Sequence, residues 1–160
     1  MIKQRLFAAA LAVFTATLSF GAAAQLADKK SLTLEAAKKI ASAAEGEAQK
    51  NKWNVVIAIV DDGGHLMYLQ RMDTTQTGSV DVAIRKAQTA MSFKRPTKVF
   101  EDAIAGGRNA LIALGALPLE GGLPIVVSGQ VIGAIGVSGV TSQQDGQIAK
   151  AGVDSAGELK

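Results

Sequence analysis

Apolar residues recur at Leu34, Ala37, Ile40, Ala41, Ala44 and Ala48, a spacing of three and four that gathers them on one stripe of a helix. Thr33 stands where an N-cap hydroxyl is wanted, and Glu35 falls in the first turn, where a negative charge favours the dipole. The period then changes. In "WNVVIAIVDDGGHLMYLQRM" a β-branched run meets the turn formers Asp61, Asp62, Gly63 and Gly64, and a second strand begins near His65, which predicts a hairpin. Past "DTTQTG", helical spacing returns over Ser79 to Phe93 through Val80, Ala83, Ile84, Ala87 and Met91. Pro96 breaks that helix, Thr97 is placed to cap a shorter one through Ile104, and Gly106 with Gly107 ends it. The stretch "NALIALGALPLEGG" has no clean period and reads as one short strand with a loop. Two further strands, Leu123 to Val127 and Gln130 to Ser138, meet at a tight turn of Ser128 and Gly129. Thr141 and Gln144 form a capping-box pattern before a last helix that carries Ile148, Ala149 and Val153. Strands joined by hairpins give an antiparallel sheet, and the helices must cover it, so the class is α+β.

The segment "GGLPIVVSGQVIGAIGVSG" first raises the question of a phosphate loop. It lacks the Gly-Lys-Ser or Gly-Lys-Thr of a Walker loop, and Gly133, Gly136 and Gly139 lie three apart within a strand rather than between a strand and a helix. Regular alternation sets Ile132, Ala134, Gly136 and Ser138 on one side and Val131, Gly133, Ile135 and Val137 on the other. The first side is nearly bare. Such a surface invites close approach of another backbone, an alanine-rich helix in the first reading and a flat ligand in the second.

The chain's start, "MIKQRLFAAALAVFTATLSFGAAAQ", has a basic beginning, an apolar run too short to span a bilayer and small residues before a cut. It predicts an export signal over residues 1–24 and a single mature domain over 25–160, periplasmic or extracellular and without a stable membrane anchor. Removal of Lys3 and Arg5 reduces 17 basic residues to 15, against 14 acidic ones, so the mature chain is nearly neutral. The remaining basic residues form no run interleaved with aromatics, and nucleic acid is not an expected partner. The absence of cysteine excludes thiol chemistry, disulfides and zinc-thiolate sites.

"VDDGGHLMYLQRMD", "KAQTAMSFKRPT", the glycine-dotted segment and "QDGQIAKAGV" together resemble the GlcG/HbpS family, the haem-degrading domain family, over nearly the whole mature chain. The resemblance implies a profilin-like fold with about five antiparallel strands and helices packed on both faces, commonly assembled as a homo-oligomer. It also implies haem or corrinoid binding in some members, in haem capture, sensing or protection. Gln143, Gly146 and Gln147 flank Asp145 where the family's tail usually carries more acid, so no iron-binding acid cluster is carried over.

His65 is the sole histidine. No Gly-x-Ser-x-Gly elbow accompanies it, and one imidazole with scattered acids is thin for zinc. Haem needs less: one imidazole or thioether on the iron, an apolar cover and cations at the propionates. His65 is therefore the candidate metal ligand, with Met67 two residues on and Arg71 following on the same face if the strand stays regular. Arg95 is the other candidate for a propionate, with Lys94 and Met91 further off. A plainer role for His65 is a ring hydrogen bond to Asp61 or Asp62 in the turn, and for Met67 packing. The leading expectation is an exported protein that binds haem or another tetrapyrrole. The alternative is an enzyme or accessory factor acting on an organic acid, with Arg71, Arg95 and Lys86 as an anion clamp. A third reading is an interaction protein whose function is assembly.

Overall fold

A computed structural model describes residues 25–159; the export signal expected over residues 1–24 lies outside the described residues. The elements run α1 (Leu34–Lys50), β1 (Val56–Asp61), β2 (Leu66–Arg71), α2 (Ser79–Phe93), α3 (Lys98–Ala105), β3 (Gly122–Val127), β4 (Gln130–Ser138) and α4 (Ser142–Ser155), with a 3-10 helix at Asn109–Leu114 and another at Ala156–Glu158. The sheet is antiparallel with order β2-β1-β4-β3. Among the described residues it has four strands, not the five expected. The ambiguous stretch supplies none, because between Gly107 and Gly115, both at positive φ, the six residues Asn109–Leu114 close into i to i+3 hydrogen bonds.

Thr33 caps α1 as its position predicts, its hydroxyl accepting from the Ala36 amide at 3.2 Å. Ala37, Ile40, Ala41, Ala44 and Ala48 face inward. The capping box of Thr141 and Gln144 opens α4. Thr97 does not cap α3. Its hydroxyl accepts instead from the Gly122 amide at 2.9 Å and so pins the start of β3. Helices α1 and α4 pack on one face of the sheet, over Ile57, Ile59, Ile125, Ile135 and Val137. Helix α2 covers the other, over Val56, Ala58, Val60 and Ala134. Cover on both sides explains why β1 reads as an unbroken apolar run, every residue from Val55 to Val60 being buried.

The bare side of β4 receives α2. A Cβ on Gly136 would stand 2.0 Å from the Ala83 carbonyl oxygen and 2.5 Å from the Ala87 amide nitrogen, so the glycine serves contact between backbones. Strand β4 is not regular, however. Val126 pairs with Val131 and Ile125 with Gly133, so Ile132 is a bulged extra residue. Val131 consequently joins the α2 side and Ile132 the α1 and α4 side, the reverse of the alternation expected from the sequence.

Candidate functional site

The β1–β2 turn is built by one carboxylate. Asp61 Oδ1 accepts the backbone amides of Gly63 and His65, each at 2.9 Å, while Gly64 takes a φ of 80°. The His65 ring is exposed and folds over Gly63, where a Cβ would come within 2.9 Å of its Cδ2. The turn thus holds His65 through its backbone. Gln88 of α2 donates to the Gly64 carbonyl at 3.3 Å and anchors the turn from the other layer.

Strand β2 is also bulged: Val60 pairs with Leu66 and Ile59 with Tyr68, leaving Met67 between. Met67 is half-buried against the core under α1, whereas Arg71 stands opposite Val56, a residue of the α2 side. The shared face expected for His65, Met67 and Arg71 is therefore broken. Arg71 also lies at the far end of β2 from His65, about 20 Å away at the ordinary rise of a strand. Its Nε donates to the Thr75 carbonyl at 3.0 Å. Arg95 is exposed just beyond α2, its Nε donating to the Phe93 carbonyl at 3.1 Å, after Lys94 in the left-handed C-cap. Met91 is buried with Val60 and Ala134 and presents no free thioether.

The segment before α1 crosses the end of the sheet that carries His65. Lys29 pairs with Asp62 of the β1–β2 turn, and Lys30 donates to Ser128 Oγ of the β3–β4 turn and, through its backbone, to Gln130, each at 3.2 Å. Leu32 is buried beside Gly133. Against this segment opens a pocket of about 620 Å³, bounded by Leu32, Ala36, Val127, Ile132 and Leu159 with Lys30 and Lys39 in its wall. Nothing in the hydrophobic pattern pointed to it, because it depends on the β4 bulge that turns Ile132 inward.

Lys86 is not an exposed clamp. It is 2% exposed and pairs at 2.7 Å with Asp145, itself 2% exposed, which joins α2 to the N-terminal turn of α4 past the start of β3. Gly121 makes room for the pair: a Cβ there would stand 2.8 Å from Asp145 Cβ and 2.9 Å from Lys86 Nζ. Burial pushes the Asp145 carboxyl up to about 6, outweighing the Lys86 ammonium and the amides of Val140 and Gly139 that favour the charged form. The rival clamp of Arg71, Arg95 and Lys86 therefore loses its lysine. Among the described residues no three His, Cys, Asp or Glu side chains gather to hold a metal, and no helix is long and apolar enough to cross a membrane.

Two helical layers on an antiparallel sheet, with an imidazole-bearing turn and an apolar pocket at one end, define an α+β protein with ligand-sized space. Residues 32–154 match the family described as haem degrading protein HbpS-like. The chain is 48% identical over 108 residues to protein GlcG of Escherichia coli (strain K12), covering 67% of this chain and 81% of that protein. The crystal structure of a Streptomyces reticuli HbpS double mutant matches with a TM-score of 0.76 at 36% identity, covering 85% of this chain and 94% of that one. A PduOC:Heme complex matches with a TM-score of 0.71 at 27% identity, covering 79% and 95%. The protein belongs to the HbpS-like, haem-degrading family that includes GlcG-type chains.

Proposed function

We propose that this protein binds a tetrapyrrole, haem first among them, as an exported homo-oligomer acting in haem capture, sensing or protection. The observation that carries the reading is the likeness, over 79% of the chain, to a structure determined as a haem complex, in a family described as haem-degrading. His65 is the axial-ligand candidate. Its imidazole is exposed on a turn whose backbone is held by Asp61, and one imidazole suffices for haem iron. Met67 is the thioether candidate, and Arg71 or Arg95 the cation for a propionate. About 20 Å of strand separates Arg71 from His65, and Arg95 stands exposed beyond the end of α2.

Hemin added to the purified protein is expected to give a saturable Soret shift, changed in position by His65→Ala and less by Met67→Ala. Spectra identical to wild type for both variants would remove the ligand assignment. Export predicts a secreted form whose mass begins at Gln25, and assembly predicts a multiple of the chain mass in light scattering.

The organic-acid reading has one feature in its favour, a polar cleft of about 350 Å³ around Arg71. Glu45 and Asp73 also line that cleft, and two carboxylates beside the guanidinium oppose an anion there. A thermal-shift screen of small carboxylates against tetrapyrroles separates the readings, since a ligand that binds the folded state raises the melting temperature.

A further inference from the structure

The stretch from Lys98 to Glu120 is apolar without being core. Helix α3 buries only Phe100, which meets Phe93 of α2 edge to face with 4.9 Å between ring centroids. The 3-10 helix Asn109–Leu114 carries Leu111, Ile112 and Leu114 and buries none of them. Ile112 is 61% exposed, Leu114 51%, Val99 46% and Leu119 39%. Helix α3 packs against the 3-10 helix, and the Glu120 amide returns to the Glu101 carboxylate of α3, so these side chains belong to one surface. Elsewhere among the described residues Leu26, Leu34, Leu66 and Val126 are exposed singly, at separate places. Scattered apolar residues are ordinary on a protein surface, whereas a gathered patch marks a place that another molecule covers.

We propose that this surface is where two copies of the chain meet about a twofold axis. The proposal rests on the homo-oligomer part of the reading above and gives it a location. A twofold contact lays the same patch onto itself in reverse, so the patch must complement itself. Arg108 follows the end of α3, exposed and without an ion-pair partner among the described residues, while Glu101 and Glu120 lie toward the start of that helix. Reversal turns the guanidinium of one copy toward the acids of the other. Lys98 and Asp102 satisfy each other at 2.6 Å and leave that balance unchanged. The extent also agrees: a stable interface takes roughly 20–30 residues from each partner, and Lys98 to Glu120 is a stretch of that length. The same acids oppose an anionic bilayer as the occupant.

The test is light scattering over a dilution series of the purified protein, on wild type and on Ile112→Asp, Arg108→Glu and Leu34→Asp. All three positions are exposed, so the variants leave the core untouched, and a circular-dichroism melt checks that each folds. Ile112→Asp is expected to weaken association about thirtyfold or more, as the loss of one central contact residue does. Arg108→Glu sets like charges together and should weaken it about tenfold or more. Leu34→Asp, an exposed apolar position on α1, should leave the assembled mass unchanged. If wild type assembles and neither Ile112→Asp nor Arg108→Glu lowers its mass, the location is overturned and the oligomer reading stands; equal dissociation by Leu34→Asp overturns it as well. If wild type keeps the mass of a single chain at every concentration, both fall. Co-sedimentation of wild type with phosphatidylcholine vesicles, abolished by Ile112→Asp, would make a lipid surface the occupant and overturn the proposal.

Discussion

The two faces of the sheet are packed by opposite means. On the α2 side the contact is made by small residues, with Ala83 and Ala87 set against Gly136 so closely that helix and strand backbones touch. On the α1 and α4 side the sheet contributes branched side chains, Ile57, Ile59 and Ile135, which meet Ile40, Ile148 and the alanines of α1. The face that looks empty in the sequence is the one without space, because small residues let a second backbone descend onto them. The face rich in isoleucine keeps a cavity at its end, lined by α1, the segment before it, Val127, Ile132 and Leu159. Side-chain size along a strand therefore says how near a neighbour can come, and not where a ligand fits.

The tie between the faces is expected to give the largest effect. Lys86→Met leaves Asp145 buried without its partner, at a cost of about 3–5 kcal/mol in denaturant unfolding. The double change Lys86→Met with Asp145→Leu removes both charges and should recover most of that loss. A double variant no more stable than the single one would show that the pair's surroundings, and not the stranded carboxylate, set the cost. Next comes Gly136→Ala. Its new methyl meets the Ala83 carbonyl, which belongs to a helix backbone and cannot yield as a side-chain tip does. Overpacking there should cost about 3 kcal/mol, and a change under 1 kcal/mol would break the contrast between the faces.

The pH dependence follows from Asp145. Its folded pKa, pushed up to about 6 by burial, exceeds the ordinary 3.8, so between those values the native state holds more protons than the unfolded one. Stability from this group is fully present below about 3.8 and is lost as pH rises through about 6. The shift corresponds to a change of up to about 3 kcal/mol. Asp145→Asn should flatten that slope in thermal melts from pH 4 to 7 while wild type declines, and equal slopes would refute the account.

Much of the fold was legible because its signals are local. The stripe of α1, the capping box of Thr141 and the Asp-Asp-Gly-Gly turn all depend on residues near one another in the chain. What was not legible depends on register. One extra residue in β4 exchanged the faces of Val131 and Ile132, and one in β2 parted Arg71 from Met67. The β2 bulge is marked by no glycine, and Gly133 beside the β4 bulge reads equally as a packing residue. The Lys86–Asp145 pair also escaped, since the partners are 59 positions apart and Lys86 reads from the sequence as one cation of an anion clamp. Thr97 misled for a related reason: a hydroxyl before a helix looks like a cap, and its partner on β3 is 25 positions away.

The smallest effect belongs to the cavity itself. Leu159 is half-buried at the pocket's edge, so truncation to alanine removes contacts that water already shares and creates no enclosed void. Leu159→Ala should cost well under the roughly 2–5 kcal/mol of a leucine truncation in a closed core, about 1 kcal/mol or less. Ile148→Ala is the matched control on the same face, because Ile148 is fully buried and its loss leaves a sealed hole. Chemical melts of the two variants measure how far the α1 and α4 layer is closed at its centre and open at its end. Equal costs would mean that Leu159 seals the core, and the pocket would then belong to the protein's packing and not to a ligand.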